Sequence, residues 1–272
     1  MCGNLMSGHG ITKCTFCGLV QVVPMPSDKE IASFYREDME HFAPYIDQIE
    51  VHREYFRKKV QEIKKLITYH VSRITLLDIG CAMGVFLEEA KKAGFRAQGI
   101  DISKDAVGYC RKKKLHVIEG TFVSAGEKLK KNSFDVVTAF EVIEHERDPL
   151  GMMERIYSLL KKNGVVVLTT PNHASIWRTL MGKWWVGYHH PEHVTFWDPL
   201  SLTFLMKKAG FKNIVIRRDT PRPFPLSFAF TRGADYLPWA GHILRPIGKL
   251  LEHLKITNPV NPWDDLIVVG KK

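Results

Sequence analysis

From Ile74 to the C-terminus, short β-rich runs alternate with stretches whose apolar residues recur at helical spacing, and this alternation constrains the fold more than any other feature. Such an order folds as a parallel sheet with helices packed on both faces. Seven strands are expected, at 74–79, 95–101, 116–119, 134–140, 164–170, 211–217 and 265–270. Helical patterns fall at 85–93, 103–113, 150–161 and 199–209, with Gly94, Gly164 and Gly210 where helices stop. The expected fold class is α/β, a seven-stranded, mostly parallel sheet with helices on both faces.

The remaining segments read as attachments to that sheet. Residues 1–25 carry three of the five cysteines. Residues 26–70 read as a helical cap, with Ile31, Phe34 and Tyr35 on one side and Tyr55, Val60, Ile63 and Leu66 continuing the pattern. Residues 71–272 make the main domain, interrupted between the last two strands by a proline- and aromatic-rich insertion at 220–262 that reads as a lid. At 272 residues, 45% of them hydrophobic, the chain can bury a sizeable core. No apolar run approaches the roughly 20 residues of a membrane span, and the N-terminus lacks the basic-then-apolar order of a signal peptide, so a cytoplasmic location is expected. An odd number of cysteines then argues for reduced thiols or a metal site over disulfides. The formal charge of +10 admits nucleic acid, an anionic membrane surface or an acidic substrate alike, because excess lysine also builds a solvated face.

The stretch LLDIGCAMGVF, residues 76–86, places a carboxylate and two glycines at the end of an apolar strand. Ligands of open parallel sheets bind beyond the carboxyl ends of the strands, and glycine lets a backbone turn sharply and approach a ligand without a Cβ in the way. A pyrophosphate grip would show G-x-G-x-x-G, but here Ala82 stands between Gly80 and Gly84. Asp78, two residues before the first glycine, would repel a phosphate and suit a cationic amine. Asp101 closes the next strand, where a carboxylate can accept hydrogen bonds from both hydroxyls of a ribose. A nucleoside carrying an amino acid satisfies both acids, and S-adenosylmethionine is the common molecule of that description.

Four segments, LLDIGCAMG, GIDIS, FDVVTAFEVIEHERDP and LLKKNGVVVLTTPN, in this order and spacing, resemble the class I S-adenosylmethionine-dependent methyltransferases over about residues 74–211. The resemblance implies a Rossmann-like sheet, with S-adenosylmethionine as cofactor and S-adenosylhomocysteine as product. It implies binding by Asp78, Gly80, Cys81, Gly84, Asp101, Ile102, Gly120, Thr121, Phe140 and Glu141, with Cys81 offering its backbone to the loop. Gly120 and Thr121 follow the third strand, where such enzymes hold the adenine, although EGTF lacks the acid–amide pair often found there.

FEVIEHERDP sets Glu141, Glu144 and His145 at the edge of the expected methyl-transfer pocket, and carboxylates with an imidazole suit magnesium, manganese or zinc. The segment resembles the ubiquinone-pathway O-methyltransferases, where the corresponding acids and histidine are associated with a metal. Relatives without a metal share the pattern, which leaves His145 a structural or proton-handling role. Residues 187–211 resemble a subgroup with proline, a charged residue and histidine before a helix ending in Ala-Gly-Phe; the charged residue there is often arginine and here is Glu192. His193 is then a candidate to take a proton from the acceptor, or else a histidine satisfied inside its loop.

KCTFCGLV carries Cys14 and Cys17 in a C-x-x-C-G knuckle, which with Cys2 would hold a structural zinc if the fourth ligand is either a cysteine preceding Met1 or His9. Reduced thiols are the alternative. The insertion interleaves Phe224, Phe228, Phe230, Tyr236 and Trp239 with Arg222, Arg232, Arg245 and Lys249. A basic amphipathic helix at 244–254 suits peripheral contact with an anionic membrane or a roof over a greasy pocket, with a lid packed on the core as the plainer expectation. No nucleic-acid module is recognisable, and no nucleic-acid partner is expected. The expected activity is methyl transfer to oxygen or nitrogen of a small-molecule, sugar or lipid-like acceptor. The alternatives are a nicotinamide-dependent oxidoreductase, disfavoured by Ala82 and Asp78, and a cofactor-binding scaffold without turnover.

Overall fold

A computed structural model of the chain describes residues 10–27, 30, 43–67, 73–188, 190, 192–220, 222, 224–236, 238–254, 259–260 and 264–272. The strands are β1 (Gly10–Lys13), β2 (Val20–Val23), β3 (Thr75–Ile79), β4 (Arg96–Asp101), β5 (Val117–Glu119), β6 (Phe134–Phe140), β7 (Leu160–Pro171), β8 (Thr195–Phe196), β9 (Lys212–Arg218), β10 (Phe224–Pro225), β11 (Pro259–Val260) and β12 (Asp265–Lys271). The helices are α1 (Ala43–Asp47), α2 (Ile49–Leu66), α3 (Val85–Lys92), α4 (Lys104–Lys112), α5 (Phe122–Gly126), α6 (Pro149–Leu159), α7 (Ile176–Met181), α8 (Pro199–Lys208), α9 (Leu226–Tyr236) and α10 (Gly241–His253). Cys2, His9, Ile31, Phe34 and Tyr35 lie outside the described residues.

The main sheet has seven strands in the order β5-β4-β3-β6-β7-β12-β9. Strands β5 to β7 run parallel, and β12 runs antiparallel to both β7 and β9. Every residue of β6, FDVVTAF, is buried, the unbroken burial expected of a strand covered on both faces. Alternate strand residues serve opposite faces: Leu77, Val137 and Val166 join α6 and α8, whereas Leu76, Val136 and Val167 join α2, α3 and α4. The helices start on capping side chains: Ser103 accepts from the Ala106 N–H, Asp148 from Gly151 and Asp198 from Ser201, with proline at the first turn in the last two.

Two features depart from the sequence reading. Helix α6 ends at Leu159, and β7 begins at Leu160, paired with Phe134, so Gly164 lies inside the strand instead of ending the helix. The knuckle segment is a hairpin, β1 and β2, whose second strand pairs with β8 to form a separate three-stranded sheet. Val20 and Val22 of that hairpin bury against Trp185, Tyr188 and Phe196. The hairpin therefore pins the 187–194 loop: Val22 N–H donates to the Val194 carbonyl at 2.9 Å, and Val194 N–H donates to the Glu144 carbonyl at 2.9 Å. No helix among the described residues is long and apolar enough to cross a membrane.

Candidate active site

A cavity of about 1270 Å³ opens over the carboxyl ends of β3, β4 and β6. It exceeds the roughly 300–1,000 Å³ of a single small-ligand pocket, so a cofactor and an acceptor fit together. Of the residues expected to bind the cofactor, Gly80, Asp101, Ile102, Gly120, Thr121 and Glu141 line it. Asp101 Oδ2 accepts from the Ala82 N–H at 2.7 Å, and Oδ1 accepts from the Ser103 N–H at 2.9 Å. These two bonds clamp the loop after β3 to the loop after β4 and hold the carboxylate at the cavity wall. Burial nevertheless raises the Asp101 pKa, against the lowering effect of its backbone hydrogen bonds.

Asp78, Cys81, Gly84 and Phe140 sit behind that wall. Asp78 is 2% exposed and accepts a 2.6 Å hydrogen bond from the Thr138 hydroxyl; burial pushes its pKa up to about 8. Gly80, at φ +69°, has no room for a Cβ, which would lie 2.6 Å from Val142 Cγ2. Gly84, at φ +72°, initiates α3 where a Cβ would lie 2.6 Å from Leu115 and 2.8 Å from Cys110 Sγ. The glycines thus serve the close packing of the loop on its own scaffold. Cys81 is buried, and Phe140 packs edge-on to Phe86 in the core.

Two loops build the other end of the cavity. Glu144 and His145 occupy a 3-10 turn after β6, and His193 arrives from the pinned loop before β8; the His145 and His193 rings lie 4.9 Å apart, nearly perpendicular. Burial lowers the His145 pKa to about 4 and holds His193 well below the usual imidazole range, so both are neutral near pH 7. Burial also drives Glu144 well above the carboxylate range, with the Glu141 charge adding to it. Glu144 Oε2 accepts from Thr170 at 3.0 Å, while its buried Oε1 has no hydrogen-bond partner.

Glu141 does not join Glu144 and His145 as a third ligand. Its backbone adopts φ +55°, a conformation rare outside glycine, and its carboxylate accepts from Thr169 at 2.6 Å and lies 3.5 Å from the Arg222 guanidinium. Among the described residues, Glu144 and His145 instead gather with His193, and His193 also gathers with His190 and Glu192. Cys14 and Cys17 lie at the β1–β2 turn, where backbone N–H groups of Cys17 and Phe16 lower the Cys14 pKa, as suits a thiolate ligand. They stand in no group of three metal-ligating side chains among the described residues.

The roof takes Phe224 and Phe228 from the insertion, as a lid there would supply, and two residues that the sequence did not single out, Tyr45 and His52. Tyr45 and His52, from α1 and α2, stack at 4.0 Å over the cavity, and Phe224 meets the His52 ring at 5.9 Å and stacks on Phe228 at 4.7 Å. Arg222 sits on the Tyr55 ring and between Glu141 and Asp265, which ties the insertion to the sheet edge. Tyr55 and Lys59 of α2 both donate to Asp219 at the end of β9, and Lys59 is fully buried.

The strand order, with its reversed β12, and the cavity beyond β3 and β4 define a class I S-adenosylmethionine-dependent methyltransferase fold. The chain belongs to the methyltransferase domain family, whose model matches residues 51–215. It is 30% identical over 180 residues to the ubiquinone biosynthesis O-methyltransferase of Paraburkholderia phymatum, covering 61% of this chain and 76% of that relative. A solved S-adenosylmethionine-dependent methyltransferase from Archaeoglobus fulgidus superposes with a TM-score of 0.58 at 20% identity, over 85% of this chain and 100% of that one. The 1,6-didemethyltoxoflavin-N1-methyltransferase of Burkholderia thailandensis, solved with 1,6-didemethyltoxoflavin and S-adenosylhomocysteine, gives 0.58 at 12% identity, over 98% of this chain and 96% of that one. At these identities the two structures speak to the fold, and the family match decides against the nicotinamide reading.

Proposed function

We propose that the protein methylates a hydroxyl of a small-molecule or lipid-like acceptor, with S-adenosylmethionine as donor. The observation that carries this reading is the arrangement of one cavity, with the clamped Asp101 carboxylate on its wall and the paired imidazoles of His145 and His193 lining it as well. The donor, when bound, supplies an electrophilic methyl group on a sulfonium. Asp101 accepts the ribose hydroxyls, and the Gly80 loop, packed tightly on Val142, lines the cavity beside it. His145, neutral at pH 7, takes the proton of the acceptor hydroxyl as its oxygen bonds to the methyl carbon. Tyr45, His52, Phe224 and Phe228 cover the site and exclude water, so most of the rate comes from alignment.

Hydroxyl methylation is supported by relatives named as ubiquinone biosynthesis O-methyltransferases. An acceptor with an apolar body is supported by the aromatic roof. The test is transfer of a labelled methyl group across a panel of hydroxylated aromatic and lipid-like acceptors. On the acceptor that reacts, His145→Ala should lose roughly 10²–10⁴ in turnover with S-adenosylhomocysteine affinity nearly unchanged. Normal turnover in that variant would assign His145 a structural role.

A further inference from the structure

The loop before β8 brings together side chains that proton transfer from the acceptor does not require. His190, Glu192 and His193 each present a ligand atom, and the three atoms lie within 4.8 Å of one another. His193 Nδ1 stands 3.0 Å from the Gly187 carbonyl, an acceptor only, so the proton sits on Nδ1 and Nε2 keeps a free lone pair. That is the arrangement by which proteins orient a metal-bound imidazole. The His190 ring stacks on the His193 ring at 4.8 Å, with His190 Nδ1 3.2 Å from Glu192 Oε1. Near them lies the buried Oε1 of Glu144, which makes no hydrogen bond and stands 3.9 Å from His145 Nε2. Val194, next to His193, is held by Val22 on one side and by the Glu144 carbonyl on the other, which fixes the backbone beside His193.

We propose that His190, Glu192 and His193 form a binding site for one borderline divalent cation of the zinc or cobalt class, facing the acceptor end of the cavity. Two imidazoles and one carboxylate favour ions that take both nitrogen and oxygen, and disfavour magnesium, which prefers oxygen throughout. Three protein ligands leave coordination positions open toward the cavity. An acceptor hydroxyl bound there would be acidified and would pass its proton to His145. That role rests on the methyl-transfer reading; the binding of the cation does not.

The test is titration of the metal-stripped full chain with Co²⁺ alone, followed by absorption. One equivalent should bind with visible ligand-field bands, without the near-ultraviolet charge-transfer band of a thiolate, and Zn²⁺ should displace it. Cys14→Ser should leave these bands unchanged. His190→Ala and Glu192→Gln should each weaken Co²⁺ binding at least about tenfold, with melting temperature and S-adenosylhomocysteine affinity preserved. The more buried His193→Ala should abolish it. Undiminished Co²⁺ binding in the His190→Ala, Glu192→Gln double variant, a thiolate spectrum only, or no binding in the unaltered chain would overturn the proposal. Co²⁺ binding without any S-adenosylhomocysteine binding would sink the methyl-transfer reading and leave the cation site standing.

Discussion

Replacing Asp101 with alanine removes an acceptor that works in two directions. Toward the protein it holds the Ala82 and Ser103 N–H groups at 2.7 and 2.9 Å, and each oxygen retains a lone pair for a ribose hydroxyl. A hydrogen bond to a charged group contributes about 1.5–3 kcal/mol. Losing the ribose bonds, with some loosening of the loop, should weaken S-adenosylhomocysteine by about 2–3 kcal/mol, roughly 30- to 150-fold in Kd. The empty protein should keep its fold, because burial already disfavours the charged form of this carboxyl. Calorimetric titration measures the affinity, and a parallel titration with the 2′,3′-dideoxy analogue separates ribose contact from loop loosening. If the carboxylate holds the ribose, the analogue should bind the variant almost as well as the parent ligand does. Additive losses from the two changes would refute the ribose assignment, since groups in direct contact couple by about 0.5–3 kcal/mol.

Asp78 offers a test by pH. Burial raises its folded pKa to about 8, above the ordinary carboxyl value of 3.8, so its stabilising contribution is complete below about pH 4 and is lost as pH rises through 8. Asp78→Asn removes that loss and should stabilise the ligand-free protein by up to about 4 kcal/mol at pH 7, at about 1.4 kcal/mol per pKa unit. Denaturant unfolding at pH 5, 7 and 8.5 should show an advantage that grows with pH; a constant advantage would contradict the burial argument. At the hairpin, Cys14 and Cys17 gather with no third ligand among the described residues, so Cys14→Ser should leave the zinc content of purified protein unchanged. A loss of about one equivalent together with a lower melting temperature would show that the cysteines hold a zinc of their own.

The main sheet was legible because its strands are buried on both faces and read as apolar runs. Phe134–Phe140 matches its expected range, and β3, β4 and β12 differ by one residue at an end. What the sequence concealed depends on distant partners. Strand β8 is two residues long and exists through pairing with Val20 and Gln21, so no local pattern marks it. Arg222 stood out only as one of several arginines in an aperiodic insertion, and its contact with Glu141 needs both the fold and the positive φ of Glu141. The motif around Asp78 and Gly84 marked a loop at the cavity, but these two residues lie behind its wall, which spacing alone does not distinguish from contact. His190 had no motif to flag it, whereas His193 did, and only the stacked rings show that the two act together.

The most direct test of the account is a crystal structure of the full chain with S-adenosylhomocysteine. The ribose hydroxyls should lie within hydrogen-bonding distance of Asp101, about 2.5–3.2 Å, with the adenine near Gly120 and Thr121. The sulfur should point toward the end of the cavity where His145 and His193 converge, within about 10 Å of one of the imidazoles, close enough for an acceptor to stand between them. A ligand bound away from Asp101, or a sulfur facing away from both histidines, would contradict the assignment of this cavity to methyl transfer.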